Sequence, residues 1–146
     1  MRKYVTQVFE EINSDPKLIE QYAKDPVYNN LLKIMLEYAF IAEKKWDLPE
    51  GTPPFKPAAE PLGMTPTNLY GELRRLYVFN RTDLKPIKRE GLFISLLEGI
   101  HPSEAELVIA IKDQALTKLY PKITRKLVVD AGLIPAAEKK SESASK

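Results

Sequence analysis

A proline-dense segment divides the helical pattern of this 146-residue chain into two parts. Between Trp46 and Pro66 the sequence holds six prolines and two glycines. Proline fixes φ and lacks an amide hydrogen, so this density excludes a helix interior. Three large apolar residues nevertheless lie within the segment, namely Trp46, Phe55 and Leu62. We therefore predict an ordered surface loop over residues 46–66, held against the helices by these three side chains.

On both sides of this loop the apolar residues follow helical spacing, and no alternating strand pattern occurs in the sequence. The predicted helices cover about residues 4–12, 16–24, 26–45, 67–79, 86–99, 103–111 and 125–131. The predicted fold class is all-α, a compact bundle of six or seven helices in a single domain over residues 1–135. The polar tail at 136–146 is predicted to be disordered.

Capping signals support several of these boundaries. Asp15 and Asp25 each precede a proline, which is typical of an acidic N-cap with proline at the first helical position. Ser103 with Glu106 forms a capping-box pattern, and Thr124 can cap the last helix. The same spacing assigns further residues to buried helix faces: Tyr4, Val5, Val8, Phe9, Ile12, Leu31, Leu32, Met35, Tyr38, Ala39, Leu69, Leu73, Leu76, Tyr77, Leu92, Phe93, Leu96 and Leu97.

Net charge is only +2, which is too small to indicate a nucleic-acid partner, but the charge is unevenly distributed. Residues 1–69 carry 8 basic and 10 acidic groups, whereas residues 70–146 carry 14 basic and 10 acidic groups. Two windows, 74–89 and 112–126, concentrate the positive charge at +5 and +4. The chain has no cysteine, and no apolar run approaches the roughly 20 residues that a membrane span requires. The amphipathic start with Glu10 and Glu11 is not typical of a signal peptide.

Residues for catalysis or metal binding are sparse. The single histidine, His101, precedes a proline at a predicted helix start, which is typical of a loop histidine. Phosphate-loop, dinucleotide and zinc-protease motifs do not occur. The pairs Glu10 with Glu11 and Glu104 with Glu106 are interpreted as solvated helix faces and caps. The sequence therefore predicts no enzyme, no cofactor and no metal.

The basic windows indicate a phosphate-binding surface. Lysine and arginine side chains cluster around a turn and a predicted helix start, where free amides and the helix dipole favour an anion. Counterion release adds sequence-independent affinity for DNA. The residues of this first group are Lys118, Lys122, Thr124, Arg125 and Lys126. A second group consists of Arg74, Arg75, Lys88 and Arg89. We expect both groups to lie on one continuous face.

Two segments resemble a known family. VFEEINSDPKLIEQYAKDPVYNNLL at 8–32 and the helix, basic turn and Gly-Leu-Ile-Pro end at 104–135 resemble the N-terminal DNA-binding domain of ATP-dependent DNA ligases, especially those of tailed phages. The resemblance implies that the first group lies against the DNA backbone. The middle, residues 46–69, is shorter and more proline-rich than the ligase pattern. The KxDG adenylylation motif does not occur, so ligase activity is not expected.

Most of the chain is also similar to a family of small uncharacterised proteins from tailed phages of the T-even type. The segments that carry this similarity are LPEGTPPFKP at 48–57, PIKREGLFISLLEGIHPSEAELVIAIKD at 86–113 and LTKLYPKITRKLV at 116–128. The similarity implies a phage origin and action in the cytoplasm of an infected bacterium.

Three functions fit this sequence. The first is a stand-alone, non-catalytic DNA-binding accessory protein that grips duplex phosphates during phage replication, repair or transcription. The second is an adaptor or inhibitor that binds phage or host replication or transcription proteins through the proline-rich loop, with Trp46 and Phe55 as contacts. The third is a structural component of the virion. We favour the first function, with double-stranded DNA as the expected partner and no membrane.

Overall fold

The computed structural model describes residues 3–135, so the tail predicted at 136–146 lies outside the described residues. Within 3–135 the chain forms eight α-helices and two 3₁₀ helices, with no strand. The α-helices are α1 (Val5–Ser14), α2 (Leu18–Lys24), α3 (Pro26–Phe40), α4 (Leu69–Glu72), α5 (Pro86–Gly99), α6 (Pro102–Lys112), α7 (Leu116–Leu119) and α8 (Arg125–Asp130). The 3₁₀ helices are η1 (Ala42–Lys44) and η2 (Leu73–Asn80). The predicted all-α class is confirmed, and α7 is an additional single turn.

Helix α6 occupies the centre of the bundle and packs against α1, α3, α5 and α7. Its residues Leu107, Val108 and Ile111 are almost completely buried. A second part of the core is aromatic. The Trp46 ring lies 5.0 Å from the ring of Tyr38 and 5.2 Å from that of Phe79, as measured between centroids. These contacts join the start of the proline-rich loop to α3 and η2.

Helix N-caps follow the sequence signals at two positions and depart from them at two others. Asp25 and Thr124 cap α3 and α8 through their side-chain oxygens, as predicted. At α6, however, His101 is the N-cap: its Nδ1 accepts from the Ser103 amide at 3.1 Å. The predicted Ser103–Glu106 capping box is therefore wrong, because Pro102 occupies the first helical position and shifts the cap back. Asp15 starts a turn, and α2 begins only at Leu18.

Helix α3 ends at Phe40, five residues earlier than predicted, because Ile41 adopts extended backbone angles of φ −94° and ψ 114°. The carbonyl groups left at this end have partners from the far end of the chain. Gln114, which has a left-handed φ of 51°, donates from Nε2 to the carbonyls of Tyr38 and Ile41 at 3.0 and 2.9 Å. Arg125 donates to the Phe40 carbonyl. Tertiary contacts thus cap this helix.

The segment predicted as one helix over 67–79 is a short α-helix followed by the 3₁₀ helix η2. A 3₁₀ helix has three residues per turn, so positions three apart share a face. Leu73, Leu76 and Phe79 follow this spacing and are buried. Tyr77 was assigned to the buried face on α-helical spacing, but it is 55% exposed. The assignment is wrong because the helical period changes.

Two other apolar residues assigned to buried faces are exposed. Leu92 on α5 is 36% exposed, and the core-facing positions of that helix are Arg89, Phe93, Leu96 and Leu97. Tyr4 is 43% exposed and precedes α1 in extended backbone. Both residues lie at the margin of an apolar stripe, where spacing alone does not distinguish the buried from the exposed side.

The proline-rich loop is anchored mainly near its start. Trp46 and Leu48 are buried, and Phe55 is half-buried against the core. Leu62 is 37% exposed, so the prediction that its side chain anchors the loop is wrong. Hydrogen bonds reinforce the first half of the loop. The Lys112 ammonium donates to the Pro49 carbonyl at 2.7 Å. Further bonds run from the Gly51 amide to Asp113 at 3.2 Å and from the Lys56 amide to Glu98 at 2.8 Å.

Candidate nucleic-acid interface

The basic turn comprises residues 113–126, from the end of α6 to the start of α8. Its apolar residues fix it to the bundle: Tyr120 and Ile123 are buried, and the Tyr120 ring lies 5.8 Å from that of Phe9. Burial raises the pKa of Tyr120 to about 12, so its phenol stays neutral. The Lys122 amide donates to Asn13 Oδ1 at 2.9 Å. The backbone of the turn is thereby held in one place.

Three lysines project from this anchored turn into solvent. Lys118, Lys122 and Lys126 are all exposed. Lys126 forms an ion pair with Asp130 at 2.8 Å, which raises the pKa of its ammonium. Because its side chain is 84% exposed, that pair is weak and can be exchanged for a phosphate. An anchored backbone that carries exposed lysine ammonium groups is suited to phosphate contact.

Arg125 and Thr124 are also in the first group, but the structure gives them roles within the fold. The Thr124 hydroxyl accepts from the Leu127 amide at 3.2 Å, so that amide is not offered to an anion. Helix α8 has only six residues, and its dipole is correspondingly weak. Arg125 is half-buried and donates to the carbonyl at the end of α3. The argument that a phosphate binds at the start of α8 therefore loses its basis. The exposed lysines remain as the candidate phosphate contacts.

The second group is divided between η2 and α5. Arg74 and Arg75 are exposed on η2, where Arg75 lies 3.5 Å from Glu72. Lys88 is exposed on the first turns of α5. Helix η2 packs against α3 and α5, while the basic turn contacts α1 and the end of α3. That the two groups share one face stays a prediction.

Arg89, assigned to the same group, is not available for phosphate. Only 5% of the residue is exposed, and its guanidinium donates to the carbonyls of Asp47, Arg81 and Leu84 at 2.8, 3.1 and 2.9 Å. A further bond of 3.1 Å reaches the Asp47 carboxylate. The side chain is on the buried face because it lies one turn before Phe93. The prediction for Arg89 is therefore wrong.

Sequence reasoning missed two buried charged residues on α6. Glu104 was interpreted as a cap or solvated residue, yet only 2% of it is exposed, and burial raises the pKa of its carboxyl to about 7. Lys112 is 1% exposed. The sequence does carry a signal for the burial of Glu104, since Glu104, Val108 and Ile111 follow the i, i+4, i+7 spacing of a buried face. Among residues 3–135 no cluster of three His, Cys, Asp or Glu could hold a metal ion.

None of the helices within 3–135 has the length and apolar character needed to cross a bilayer. No curated protein and no solved structure matches the chain. A family model does match it, over residues 14–118, which include the proline-rich loop, η2, α5, α6 and the start of the basic turn. The match ends at Lys118 and so excludes Lys122 and α8. Because it spans most of the sequence, the chain belongs to a family of unknown function, DUF6433.

Proposed function

We propose that this protein is a stand-alone, non-catalytic DNA-binding accessory protein of a phage, which grips duplex phosphates during replication, repair or transcription in the cytoplasm of the infected bacterium. The observation that supports this function best is the basic turn. Its exposed Lys118, Lys122 and Lys126 project from a backbone that is anchored through buried Tyr120 and Ile123. The resemblance to the ligase domain, stated above on the residues of this turn, supports the same function.

Phosphate binding by such a surface needs no catalytic group and no base-reading side chain. Lysines neutralise phosphates and release condensed counterions, which produces affinity that is independent of sequence and falls with salt. The segment 114–135 carries four cations and one carboxylate, Asp130. Arg74, Arg75 and Lys88 would extend the contact to a second stretch of the backbone. An accessory role follows because this protein would hold DNA and would not itself catalyse a reaction on it.

The decisive experiment is an electrophoretic mobility shift with duplex and nicked DNA at about 50 and 200 mM salt. We expect retention at low salt, weaker retention at high salt and no dependence on base sequence. Lys118→Glu with Lys122→Glu should abolish most of the retention. Arg125 is not substituted, because it supports the end of α3. The matched control is Lys33→Glu, an exposed lysine on α3 outside both basic windows.

Retention that is unchanged by the double reversal, or lost equally in the Lys33→Glu control, would contradict a specific role for the basic turn. Absence of retention at low salt would contradict DNA binding altogether. Both variants replace exposed side chains, so a circular dichroism spectrum equal to that of the wild type is expected and separates loss of binding from loss of folding.

A second function, a protein-binding adaptor or inhibitor, is supported by exposed apolar side chains beside the second basic group. Ile87 is 79% exposed and Tyr77 is 55% exposed. A groove between η2 and α5, with Leu92 and Val78 in its wall, lies on the same two elements. Trp46, earlier assigned to this contact, is 3% exposed and belongs to the core. A virion component would need such a surface as well.

The adaptor is tested by purifying the tagged protein from infected cells after nuclease treatment. Partners that survive the nuclease and are lost on Ile87→Asp would support protein binding. Partners that disappear with the nuclease alone would support DNA binding. The virion alternative predicts that the protein is found in purified particles.

A further inference from the structure

A groove lies between the first half of the proline-rich loop and the helices α6 and α7. Its volume is about 520 Å³, within the roughly 300–1,000 Å³ that is usual for ligand sites. The loop contributes Phe55 to its walls, and the helices contribute Ile109, Ala110 and Leu119. The groove is therefore mainly apolar and has room for a planar ring with its substituents.

The apolar walls are not fully covered by the fold. Helix α6 packs against four other helices, yet its residues Ile109 and Ala110 are only half-buried where they line the groove. Phe55 and Leu119 are half-buried as well. Each of these side chains keeps apolar surface in contact with water, and covering such surface is favourable. A flat, largely apolar ligand would cover several of them at once.

Two charged residues of opposite sign also line the groove. Glu106 lies on α6 one turn before Ala110, whereas Lys118 follows α6 in the chain and lies on α7. Both are exposed, and within residues 3–135 neither side chain has a hydrogen-bond or ion-pair partner. Lys118 also belongs to the basic turn. The groove is thus continuous with the surface that we propose to hold phosphates.

Hydrogen bonds fix the loop on both sides of Phe55. Before it, the Gly51 amide donates to the Asp113 carboxylate at 3.2 Å. After it, the Lys56 amide donates to the Glu98 carboxylate at 2.8 Å. An aromatic wall that is held in place before a ligand arrives costs little ordering entropy on binding.

We propose that this groove holds one unpaired nucleotide of the bound DNA. The base packs against Phe55 and the apolar walls, and its phosphate contacts Lys118. The Glu106 carboxylate accepts a hydrogen bond from an exocyclic amine of the base, as carboxylates do from N4 of cytosine. The inference rests on the proposed function, because Lys118 is one of the lysines that we expect to hold the DNA backbone.

Only an unpaired base can use this groove. Bases within a duplex are stacked and paired, whereas an unpaired base is free to stack on an aromatic side chain. Thymine has no exocyclic amine, so Glu106 should favour cytosine over thymine. The protein would accordingly prefer DNA with an unpaired nucleotide beside a duplex, while its grip on the duplex remains independent of sequence.

The experiment measures fluorescence anisotropy of three labelled DNA probes with the full-length protein. One probe is a blunt duplex, and the others are the same duplex with a short overhang of cytidines or of thymidines. We expect the cytidine overhang to bind about fivefold or more tighter than the blunt duplex, since stacking of one base contributes about 1–3 kcal/mol. The thymidine overhang should bind about threefold more weakly than the cytidine overhang, because one hydrogen bond is missing.

Two variants separate stacking from hydrogen bonding. Phe55→Leu keeps an apolar side chain but removes the ring, so both overhangs should lose most of their advantage while the blunt duplex binds as before. Phe55→Tyr keeps the ring and should bind as the wild type does. Glu106→Gln should remove the preference for cytidine, because an amide can accept from cytosine or donate to thymine. Its exposed position makes this variant independent of the loop.

The matched control for the aromatic ring is Tyr77→Leu, at an exposed position on η2 that does not line the groove. It should leave the advantage of the overhangs unchanged. Limited proteolysis between Pro49 and Pro61 should be the same for Phe55→Leu and the wild type, since Trp46 and Leu48 still anchor the loop.

Overhang probes that bind no tighter than the blunt duplex would overturn the inference and leave the proposed duplex binding intact. An overhang advantage that survives in Phe55→Leu, or is lost equally in Tyr77→Leu, would also overturn it. If no probe binds, both the inference and the proposed function fail, and an apolar side chain of a protein partner becomes the better candidate for the groove.

Discussion

At the scale of single residues, Arg89 connects α5 to two other stretches of backbone, the start of the proline-rich loop and the turn at 81–84. Its guanidinium donates to the carbonyls of Asp47, Arg81 and Leu84, and its side chain is 6% exposed. We expect Arg89→Met to lower the free energy of unfolding by about 3 kcal/mol, because each buried carbonyl left without a donor costs about 1–3 kcal/mol. Arg89→Lys should recover little, since an ammonium lacks the planar fork that reaches several acceptors. Urea unfolding measures both variants.

The neighbouring Lys88→Met provides the matched control for that prediction. Lys88 is exposed on the same helix, so its substitution should change stability by less than about 0.5 kcal/mol. Equal effects of the two methionine substitutions would show that the buried hydrogen bonds of Arg89 are not important for the fold.

Glu104 makes stability dependent on pH. Its pKa is raised from 4.5 to about 7 in the folded chain, mainly by burial. The folded state therefore retains a proton that the unfolded state releases, and this effect should make stability fall as pH rises from about 4.5 to 7 and then level off. Glu104→Gln removes the effect, so its advantage over the wild type should grow across this range, to about 3 kcal/mol at most.

Urea unfolding at intervals between pH 4.5 and 8 tests that dependence, with Glu106→Gln as the exposed control. A stability difference between Glu104→Gln and the wild type that stays constant over the whole range would contradict it. So would an equally large pH-dependent difference in the control.

At the scale of elements, η2 shows how a change of helical period alters which residues matter. Leu76 is 1% exposed and Tyr77 is 55% exposed, although both are large residues at adjacent positions. We expect Leu76→Ala to cost about 2–5 kcal/mol, the usual range for a buried leucine. Tyr77→Ala should cost much less, because little of its surface is removed from water. Thermal or urea unfolding compares the two, and the opposite order would contradict the 3₁₀ assignment.

The proline-rich loop is a second element whose behaviour can be tested. Lys112 is buried and donates to the Pro49 carbonyl, and Asp113 accepts from the Gly51 amide. Limited proteolysis of the wild type should cut the 136–146 tail long before it cuts between Pro49 and Pro61. Lys112→Met preserves the length of the side chain but removes its hydrogen bond, so cleavage between those prolines should accelerate.

Lys118→Met, at an exposed position, is the control for loop release and should leave the cleavage pattern unchanged. Wild-type protein that is cut between Pro49 and Pro61 as fast as in its tail would show that the loop is loosely held. That outcome would favour partner binding by this segment.

At the scale of the whole molecule, we expect the two basic groups to contact one duplex. The first group is tested by Lys118→Glu with Lys122→Glu, and the second by Arg74→Glu with Lys88→Glu. Each lost phosphate contact should reduce the slope of log affinity against log salt by roughly one. If the groups share a face, the combined variant should lose the sum of both effects on a single duplex.

The measurement is a salt titration of duplex binding for the wild type, the two double variants and their combination. A second-group variant that binds as the wild type does would restrict the DNA contact to the basic turn. It would also make the exposed apolar surface around Ile87 a better candidate for a protein contact.

Much of the fold was accessible from sequence because it depends on local signals. Helical spacing, Asp25 before Pro26, Thr124 before α8 and the proline density at 46–66 each act within a few residues of the feature they predict. The all-α class follows from these signals. The exposed Lys118 and Lys122 were also identified from sequence, since charged residues in a turn are mostly solvated.

Only the tertiary structure decided which charged side chains are buried, because their burial depends on partners that are distant in sequence. Arg89 and Arg125 look like any other arginine in a basic window. However, Asp47, which lies 42 residues away in sequence, accepts hydrogen bonds from Arg89, and the Phe40 carbonyl at the end of α3 accepts one from Arg125. Glu104 is buried because α6 is surrounded on several sides. Local sequence determines which elements form and where charge is concentrated. Only the packing of those elements determines which charges remain in water, because desolvation and hydrogen-bond pairing are properties of the assembled interior.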